Sequence, residues 1–298
     1  MARTGHEVSL LGRSWHLDAV RRQGLLISGI WGEYRIKAFD LYTSPEEIAR
    51  EGRSFDLVIL TVKSYDTPSA AGALKTLLGD TAVLLSLQNG LGNIETLLAA
   101  VDPARYLVGR VIFGVELSPG HAHVTVEADP IAIGRAPGAP PPRLRPETLA
   151  QALSASRISS VAVPDILPYI WAKAVYNCAL NPLCALSGIP YGDLLKDPER
   201  RARMERIVRE CYAVAGAWSI TLAPGSAEAY LELLVGRLIP RTASHYPSML
   251  ADLRRGRTDI DALNGAICRL GREKGVPTPE NLAVTEAIRS LTPSPKST

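Results

Sequence analysis

The stretch Trp171–Leu183 reads WAKAVYNCALNPL and opens the part of the chain in which helical patterns replace strand patterns. Within it, Lys173, Asn177 and Asn181 are each four residues apart, among mostly apolar neighbours. On an α-helix this spacing turns by about 40° per step, so the three side chains leave from one face. One ammonium and two carboxamides there could grip a substrate and give it a proton. The alternative is a half-exposed helix whose polar edge meets water.

The end of this helix depends on Pro182. Proline disfavours α geometry in the residue before it and has no backbone N–H to donate. We therefore expect the helix to end close to Asn181, which would leave a carbonyl near Cys178 without its helical partner. A kinked continuation through Leu186 is the alternative.

Length and composition favour an ordinary globular protein of two domains. The chain has 298 residues, 46% of them hydrophobic, which is enough for a sizeable core. Charged residues make up 21% and the net charge is +3, without blocks of like charge, so neither nucleic acid nor a membrane is expected as a partner. A slightly basic protein nevertheless suits an anionic substrate or cofactor.

The cysteines predict structural thiols in a reducing compartment. They are scattered without CxxC spacing, so neither a disulfide framework nor a zinc site is suggested. The sequence also has no run of 18 apolar residues and no signal-peptide pattern at its start, so we expect a soluble cytoplasmic protein. The four cysteines are Cys178, Cys184, Cys211 and Cys268.

Strand patterns dominate the first half of the chain. The near-continuous apolar run Asp56–Lys63 predicts a parallel strand covered on both faces. From Asp165 onward the strand patterns vanish. We therefore predict an α/β protein with a Rossmann-type parallel sheet domain at residues 1–164 and an all-α domain at residues 165–298. Further strands are expected at Leu25–Gly29 and Glu33–Phe39 (a hairpin), Thr81–Leu87, Leu107–Val115 and Ala122–Ile133, and late helices at Glu199–Trp218, Ser226–Val235, His245–Arg255, Thr258–Lys274 and Pro279–Leu291.

The beginning of the sequence departs from a dinucleotide-binding pattern. Residues 1–13 resemble the last turn of a helix, a glycine at its end (Gly5), and a strand at Glu7–Leu11. A dinucleotide fold opens earlier, with a strand and a G-x-G-x-x-G turn that brings the pyrophosphate to a helix N-terminus. No such turn occurs in this sequence. We expect that the first βα unit is absent, through a misplaced start codon or because the chain is a fragment.

Three positions suggest contacts with a nucleotide or substrate. Arg13 follows the Glu7–Leu11 strand, at the position where NADP enzymes use Arg for the 2′-phosphate, and this favours NADPH as the cofactor. The alternative is that Arg13 is a solvated loop residue. Lys63 ends a strand at the edge where ligands of open α/β sheets gather, although a surface Lys is equally compatible. Asn89 belongs to the segment QNGLGN at residues 88–93, whose glycines let backbone approach a ligand closely, although plain Asn-Gly turns are common.

Together these motifs resemble those of the ketopantoate reductase family, NADPH-dependent enzymes that reduce 2-dehydropantoate to pantoate. WAKAVYNCALNPL is similar to the core motif of the family, and QNGLGN to its NG-x-G turn. SMLADL at residues 248–253 resembles its S-M-L-x-D segment, and TDIDALNG at residues 258–265 its T-E-I-D-x-x-N-G helix start, with Asp259 in place of Glu. The resemblance runs from Gly5 to the last helix.

The resemblance implies a role for each site residue. Lys173 would be the proton donor; Asn89, Asn177, Asn181 and Ser248 would bind the substrate; and Arg13, Lys63, Asn89, Val115 and Asp259 would contact NADPH. A structural alternative exists for the last segment, because Thr258 and Asp261 have capping-box spacing and Asp259 suits a helix N-terminus. Two substrate-side positions depart from the expected Asn, namely Tyr191 and His245.

The implied function is the NADPH-dependent reduction of 2-dehydropantoate to pantoate in pantothenate and coenzyme A biosynthesis. The substrate partner would be a small-molecule 2-keto acid, and a homodimer through the helical domain is compatible with the sequence. Two alternatives stay open. The chain could reduce a different 2-keto acid, or it could be a non-catalytic remnant that binds a ligand or partner without turnover.

Overall fold

The computed structural model describes residues 1–292, which form two compact units. The sheet unit comprises Met1–Val62, Pro68–Gln88 and Thr96–Ile166. The helical unit comprises the chain from Leu167 onward together with two short segments, Lys63–Thr67 and Asn89–Glu95. A division of the chain at residue 164 would group these two segments with the sheet unit. The helical unit therefore contains residues that follow two strands of the sheet.

The sheet unit contains a mixed α/β arrangement. Its elements are β1 (Ser9–Leu11), α1 (Ser14–Gln23), β2 (Leu25–Gly29), β3 (Tyr34–Ile36), β4 (Asp40–Tyr42), α2 (Pro45–Arg50), β5 (Leu57–Leu60), α3 (Thr67–Leu78), β6 (Val83–Ser86), α4 (Asn93–Leu98), β7 (Tyr106–Ser118), β8 (His121–Arg135), α5 (Pro146–Ala155) and β9 (Ser160–Ala162). In the seven-stranded sheet the order is β3-β2-β8-β7-β6-β5, with β9 beside β8. Strands β5, β6 and β7 run parallel, whereas β7 pairs antiparallel with β8.

Two features of the sheets differ from a continuous parallel sheet. Strands β1 and β4 pair with each other as a separate two-stranded parallel sheet. Strand β5 lies at the end of the larger sheet, and Ile59 within it is 39% exposed. The expectation that this strand is covered on both faces is therefore wrong on the face that carries Ile59, and as a terminal strand it also has a neighbouring strand on one side only.

The expected hairpins form. Strand β2 pairs antiparallel with β3, and β7 with β8 around a turn at Pro119 and Gly120. Gly120 has φ +70°, a backbone conformation that favours glycine. Strands β7 and β8 are 13 and 15 residues long, with register shifts along their ladder. The core of the unit lies between this sheet and α5, where Leu107 and Ile133 pack with Leu149 and Leu153.

The helical unit is built around one long helix, α6 (Leu167–Ser187). It packs against α8 (Pro198–Ala217), α11 (Ser248–Arg254) and α13 (Pro279–Leu291). No helix within residues 1–292 combines the length and apolar character needed to cross a membrane. The four cysteines are free and buried, and burial raises the pKa of Cys184 to about 12. The helices are α6 (Leu167–Ser187), α7 (Tyr191–Leu194), α8 (Pro198–Ala217), α9 (Ala227–Leu233), α10 (Ile239–Arg241), α11 (Ser248–Arg254), α12 (Asn264–Glu273) and α13 (Pro279–Leu291), with a π-helical segment at Leu234–Leu238.

Pro182 lies inside α6 and does not end it. The expectation of an end near Asn181 is wrong, and the helix continues to Ser187. Since Pro182 has no N–H, the carbonyl of Cys178 loses its helical donor. The Nδ2 of Asn264 takes that place, at 3.1 Å from the Cys178 oxygen. Asn264 is fully buried, and its Nδ2 also donates to Oδ1 of Asn281 at 2.9 Å.

The predicted helix Thr258–Lys274 is interrupted. Its first part is a short 3-10 turn at Ile260–Ala262, and α12 begins only after Leu263, whose φ and ψ of −109° and −104° are not helical. The capping-box interpretation is also wrong for Asp261. Its carboxylate accepts hydrogen bonds from Nε and Nη2 of Arg289 at 2.8 and 2.5 Å, and not from the backbone N–H of Thr258 as in a capping box.

The N-terminus of α13 is held by charged side chains of α8. The Glu210 carboxylate accepts from the backbone N–H groups of Glu280 and Asn281 at 2.8 and 2.9 Å. Glu280 in turn accepts from Nε of Arg206 at 2.6 Å and Nε of Arg203 at 3.1 Å. Burial raises the pKa of Glu280, but the two guanidinium groups outweigh this effect and the net pKa is lowered.

Replacing Glu280 with Gln should lower the free energy of unfolding by about 1 kcal/mol near pH 7. Because the folded pKa lies below the unfolded one, the carboxylate stabilises the fold above the unfolded pKa. This contribution is lost as the pH falls through the folded value, so urea denaturation of wild type and variant should converge below about pH 4. The control Glu228→Gln, at a carboxylate 69% exposed, should change little. A stability difference that persists unchanged in acid would contradict the prediction.

Candidate active site

The polar stripe on α6 is continuous. Because the helix runs without interruption from Leu167 to Ser187, Lys173, Asn177 and Asn181 project from one face. Lys173 and Asn177 are half-buried, whereas Asn181 is only 5% exposed. Asn181 is therefore not part of a water-facing edge, and the stripe passes from partly accessible to buried along the helix.

Ser248 is the first residue of α11, which packs against α6. Its side chain is exposed. One turn later on the same helix, Asp252 is only 6% exposed. The sequence analysis did not single out this carboxylate, although it is the acidic residue of the SMLADL segment.

Asp252 and Asp259 both contact the ammonium of Lys63. The Lys63 Nζ lies 2.5 Å from Oδ2 of Asp252 and 3.2 Å from Oδ2 of Asp259. The backbone N–H of Ser64 also donates to Oδ1 of Asp259, at 3.0 Å. Burial lowers the pKa of Lys63, but Asp259 and Asp252 outweigh it and the net pKa is raised. Lys63 is thus a fixed cation inside a group of three charges that is negative overall.

The Asn89 turn is tied to the Lys63 segment through hydrogen bonds. The backbone oxygen of Asn89 accepts from Oγ of Ser64 and from Nδ2 of Asn93, both at 2.8 Å. Thr67 Oγ1 donates to Oδ1 of Asn93, also at 2.8 Å. The side chain of Asn89 is itself exposed. These bonds fix the backbone of the turn and leave the Asn89 carboxamide at the surface of the unit.

Gly90 makes the close approach that the Asn-Gly turn predicts, but to protein. Its φ is +90°, and a Cβ there would lie 2.7 Å from the Ala262 carbonyl oxygen. The next residue, Leu91, donates its N–H to that same oxygen at 2.7 Å. Because Gly90 has no Cβ, the Asn89 turn can come close enough to the 3-10 turn after Asp259 for Leu91 to make this hydrogen bond.

Tyr191 contacts the buried end of the α6 stripe. Its hydroxyl donates to Oδ1 of Asn181 at 2.7 Å. The Tyr191 ring packs edge-on against Tyr176, with centroids 5.9 Å apart, and against His245 at 5.3 Å. The sequence flagged Tyr191 and His245 as departures from Asn, but it gave no sign that they contact each other.

The other two predicted cofactor residues, Arg13 and Val115, lie in the sheet unit. Arg13 is exposed, follows β1 and immediately precedes α1. Val115 lies in β7 opposite Val124 and is 48% exposed. The helical unit contains the remaining seven site residues. Within residues 1–292, His, Cys, Asp and Glu side chains do not form a group of three or more that could hold a metal ion.

Comparison with known proteins matches both halves of the chain to one family. The model for ketopantoate reductase PanE/ApbA matches residues 1–138, and the model for its C-terminal part matches residues 165–292. The 2-dehydropantoate 2-reductase of Aquifex aeolicus (strain VF5) is 35% identical over 291 residues, which cover 97% of this chain and 91% of the relative. The chain belongs to the ketopantoate reductase family.

Solved structures agree with membership of the ketopantoate reductase family. A 2-dehydropantoate 2-reductase from Geobacter metallireducens GS-15 has a TM-score of 0.87 and 26% identity, covering 98% of this chain and 94% of that structure. A D-mandelate dehydrogenase bound to NADH and anilino(oxo)acetate has a TM-score of 0.84 and 25% identity, covering 97% and 92%. The predicted fold class, a sheet domain followed by a helical domain, is confirmed, and the family is one of oxidoreductases that act on small keto acids.

Proposed function

We propose that this chain reduces 2-dehydropantoate to pantoate, with a hydride from NADPH and a proton from Lys173. The observation that carries the proposal is the uninterrupted face of α6. It aligns one ammonium with two carboxamides, within the part of the chain that matches the C-terminal family model. This combination offers a proton donor and neutral hydrogen-bonding groups for a keto acid.

Arg13 in the sheet unit suits an anionic nucleotide. Arg13 presents an exposed guanidinium directly before α1, and a helix N-terminus with a neighbouring Arg favours a phosphate group. Arg13 would hold the 2′-phosphate, and the exposed carboxamide of Asn89 would meet the nicotinamide side. Lys63, Val115 and Asp259 are proposed as further cofactor-side residues, with the Lys63 ammonium held in place by Asp252 and Asp259. Bound NADPH supplies the hydride to the keto carbon.

The residues of the helical unit account for the rest of the reaction. As the keto carbon gains the hydride, its oxygen becomes an alkoxide and takes a proton from Nζ of Lys173. The ammonium also stabilises the negative charge while it develops. Asn177, Asn181 and Ser248 hold the carboxylate and hydroxyl ends of the substrate, and Asn89 orients the carbonyl. Lys173 then regains its proton from solvent.

The test is a titration of purified protein with NADPH, followed by nicotinamide fluorescence, and then addition of 2-dehydropantoate. We expect saturable NADPH binding and oxidation of NADPH only when the keto acid is present. NADH in the same titration serves as the control for the role of Arg13 and should bind more weakly. Absence of saturable binding would support the remnant hypothesis instead.

A second candidate function is the reduction of a 2-keto acid that carries an aromatic substituent. It is favoured by the packed rings of Tyr176, Tyr191 and His245 beside Asn181. The similarity to a D-mandelate dehydrogenase points the same way. Comparing kcat/KM for 2-dehydropantoate and for 2-oxo-2-phenylacetate decides between the two, because the preferred substrate has the higher value.

A further inference from the structure

We propose that Tyr191 is a positioning residue that fixes the Asn181 carboxamide as a hydrogen-bond donor and so makes the site select a carboxylate. The inference rests on the proposed function, in which Asn181 binds the substrate. Beyond that function, it assigns a role to Tyr191 and a preference for a carboxylate group, and both follow from one buried contact.

The contact is short and shielded from water. The Tyr191 hydroxyl lies 2.7 Å from Oδ1 of Asn181, and the two residues are 4% and 5% exposed. The partner atom is the Asn181 carboxamide oxygen, so the hydroxyl is the donor. Burial, and to a smaller extent Tyr176 and Cys184, raises the pKa of Tyr191, so the hydroxyl keeps the proton that it donates. The buried carboxamide oxygen of Asn181 is thus satisfied by the Tyr191 hydroxyl, as buried polar atoms usually are by some partner.

Tyr191 is itself held in place. Its backbone N–H donates to the carbonyl oxygen of His245 at 3.0 Å, and its ring packs against those of Tyr176 and His245. A buried ring held by two aromatic neighbours loses little further freedom when its hydroxyl makes a hydrogen bond. The orientation of Asn181 is therefore set before any substrate arrives.

The chemical consequence concerns which substrate groups are accepted. Because its oxygen is turned towards Tyr191, the Asn181 carboxamide directs its N–H donors away from that ring, and such donors match a carboxylate oxygen. The primary amide of the same keto acid is uncharged and replaces one acceptor oxygen with an NH2 donor, so it offers these N–H groups a weaker acceptor on one side only. Without the Tyr191 hydroxyl, the Asn181 carboxamide could rotate by about 180° about its last side-chain bond and offer its oxygen to that NH2 group. The locked arrangement thus discriminates a 2-keto acid from its 2-keto amide.

The experiment compares Tyr191→Phe with wild type on 2-dehydropantoate and on its primary amide. We expect KM for the acid to rise about tenfold, kcat to change less than about threefold, and the preference for acid over amide to fall about tenfold. NADPH affinity should be unchanged. The control Tyr212→Phe, which removes a hydroxyl that donates to the Pro224 carbonyl at 3.0 Å, should behave as wild type.

A double-mutant cycle separates positioning from a general structural effect. If Tyr191 acts through Asn181, Tyr191→Phe should have no further effect on KM in an Asn181→Ala background. Equal effects of Tyr191→Phe on KM in both backgrounds would overturn the inference. It would also be overturned if Asn181→Ala preferred the acid over the amide as strongly as wild type does. This second measurement does not require Tyr191→Phe to fold. If wild type reduces the acid but Tyr191→Phe matches it, only this inference fails. If wild type neither binds nor reduces a 2-keto acid, the proposed function fails as well.

Discussion

Replacing Lys173 with Ala should lower kcat by about 10³-fold or more, while the affinity for NADPH stays within about twofold. The variant loses both the proton donor and the cation beside the developing alkoxide, and each is worth several orders of magnitude in such reactions. The nucleotide does not depend on this side chain in the proposed mechanism. Stopped-flow reduction and NADPH fluorescence titration measure the two quantities separately.

Two further variants refine this test. Lys173→Arg keeps a positive charge but cannot release its proton near neutral pH, so it should recover part of the charge stabilisation and little of the proton transfer. Lys196→Ala removes a lysine that is 74% exposed and paired with Asp193, and it should leave turnover unchanged. Equal losses of turnover and NADPH binding in Lys173→Ala, or turnover close to wild type, would count against Lys173 as the proton donor.

Replacing Asn264 with Ala should lower the free energy of unfolding by about 3 kcal/mol, the second largest effect that we expect. The change removes the donor that satisfies the Cys178 carbonyl, and it leaves Oδ1 of Asn281 with the weaker thiol donor of Cys211, in a site that is fully buried. Buried acceptors left without a partner cost about 1–3 kcal/mol, and the small cavity adds to this. Urea denaturation followed by circular dichroism measures the difference.

The role of Pro182 makes this prediction specific. In a Pro182→Ala background the new backbone N–H can donate to the Cys178 carbonyl, as in an ordinary helix. Asn264→Ala should then cost about 1 kcal/mol less than it does in wild type. The control Pro146→Ala lies at the first position of α5 in the sheet unit, and its effect should simply add to that of Asn264→Ala. Additivity with Pro182→Ala would show that Asn264 does not act on the freed carbonyl.

Local patterns predicted most of the elements. The turn at Pro119 and Gly120, the hairpin of β2 with β3, and helix α13 at Pro279–Leu291 all follow from signals within a few residues of one another. The errors fall where distant residues decide the outcome. Helix α6 passes Pro182 because Asn264, 86 residues beyond Cys178, replaces the missing donor. Strand β5 is less covered than its apolar run suggests because it lies at the end of the sheet.

The candidate site likewise has features that depend on local sequence and features that depend on distant residues. The placement of Lys173, Asn177 and Asn181 on one face follows from the helical repeat and could be predicted from their spacing along the chain. Nothing local indicated that Lys63 would pair with Asp252, 189 residues away, or that Tyr191 would occupy the oxygen of Asn181.

The physical reason is the range of the interactions. Helical and turn geometry depend on neighbouring residues and can be read from their order along the chain. Ion pairs and buried hydrogen bonds depend on which elements pack together. The sequence thus determined the protein family, the helical stripe and the order of the elements. The packing of distant elements places the segments Lys63–Thr67 and Asn89–Glu95 in the helical unit and supplies the partners that hold the stripe on α6.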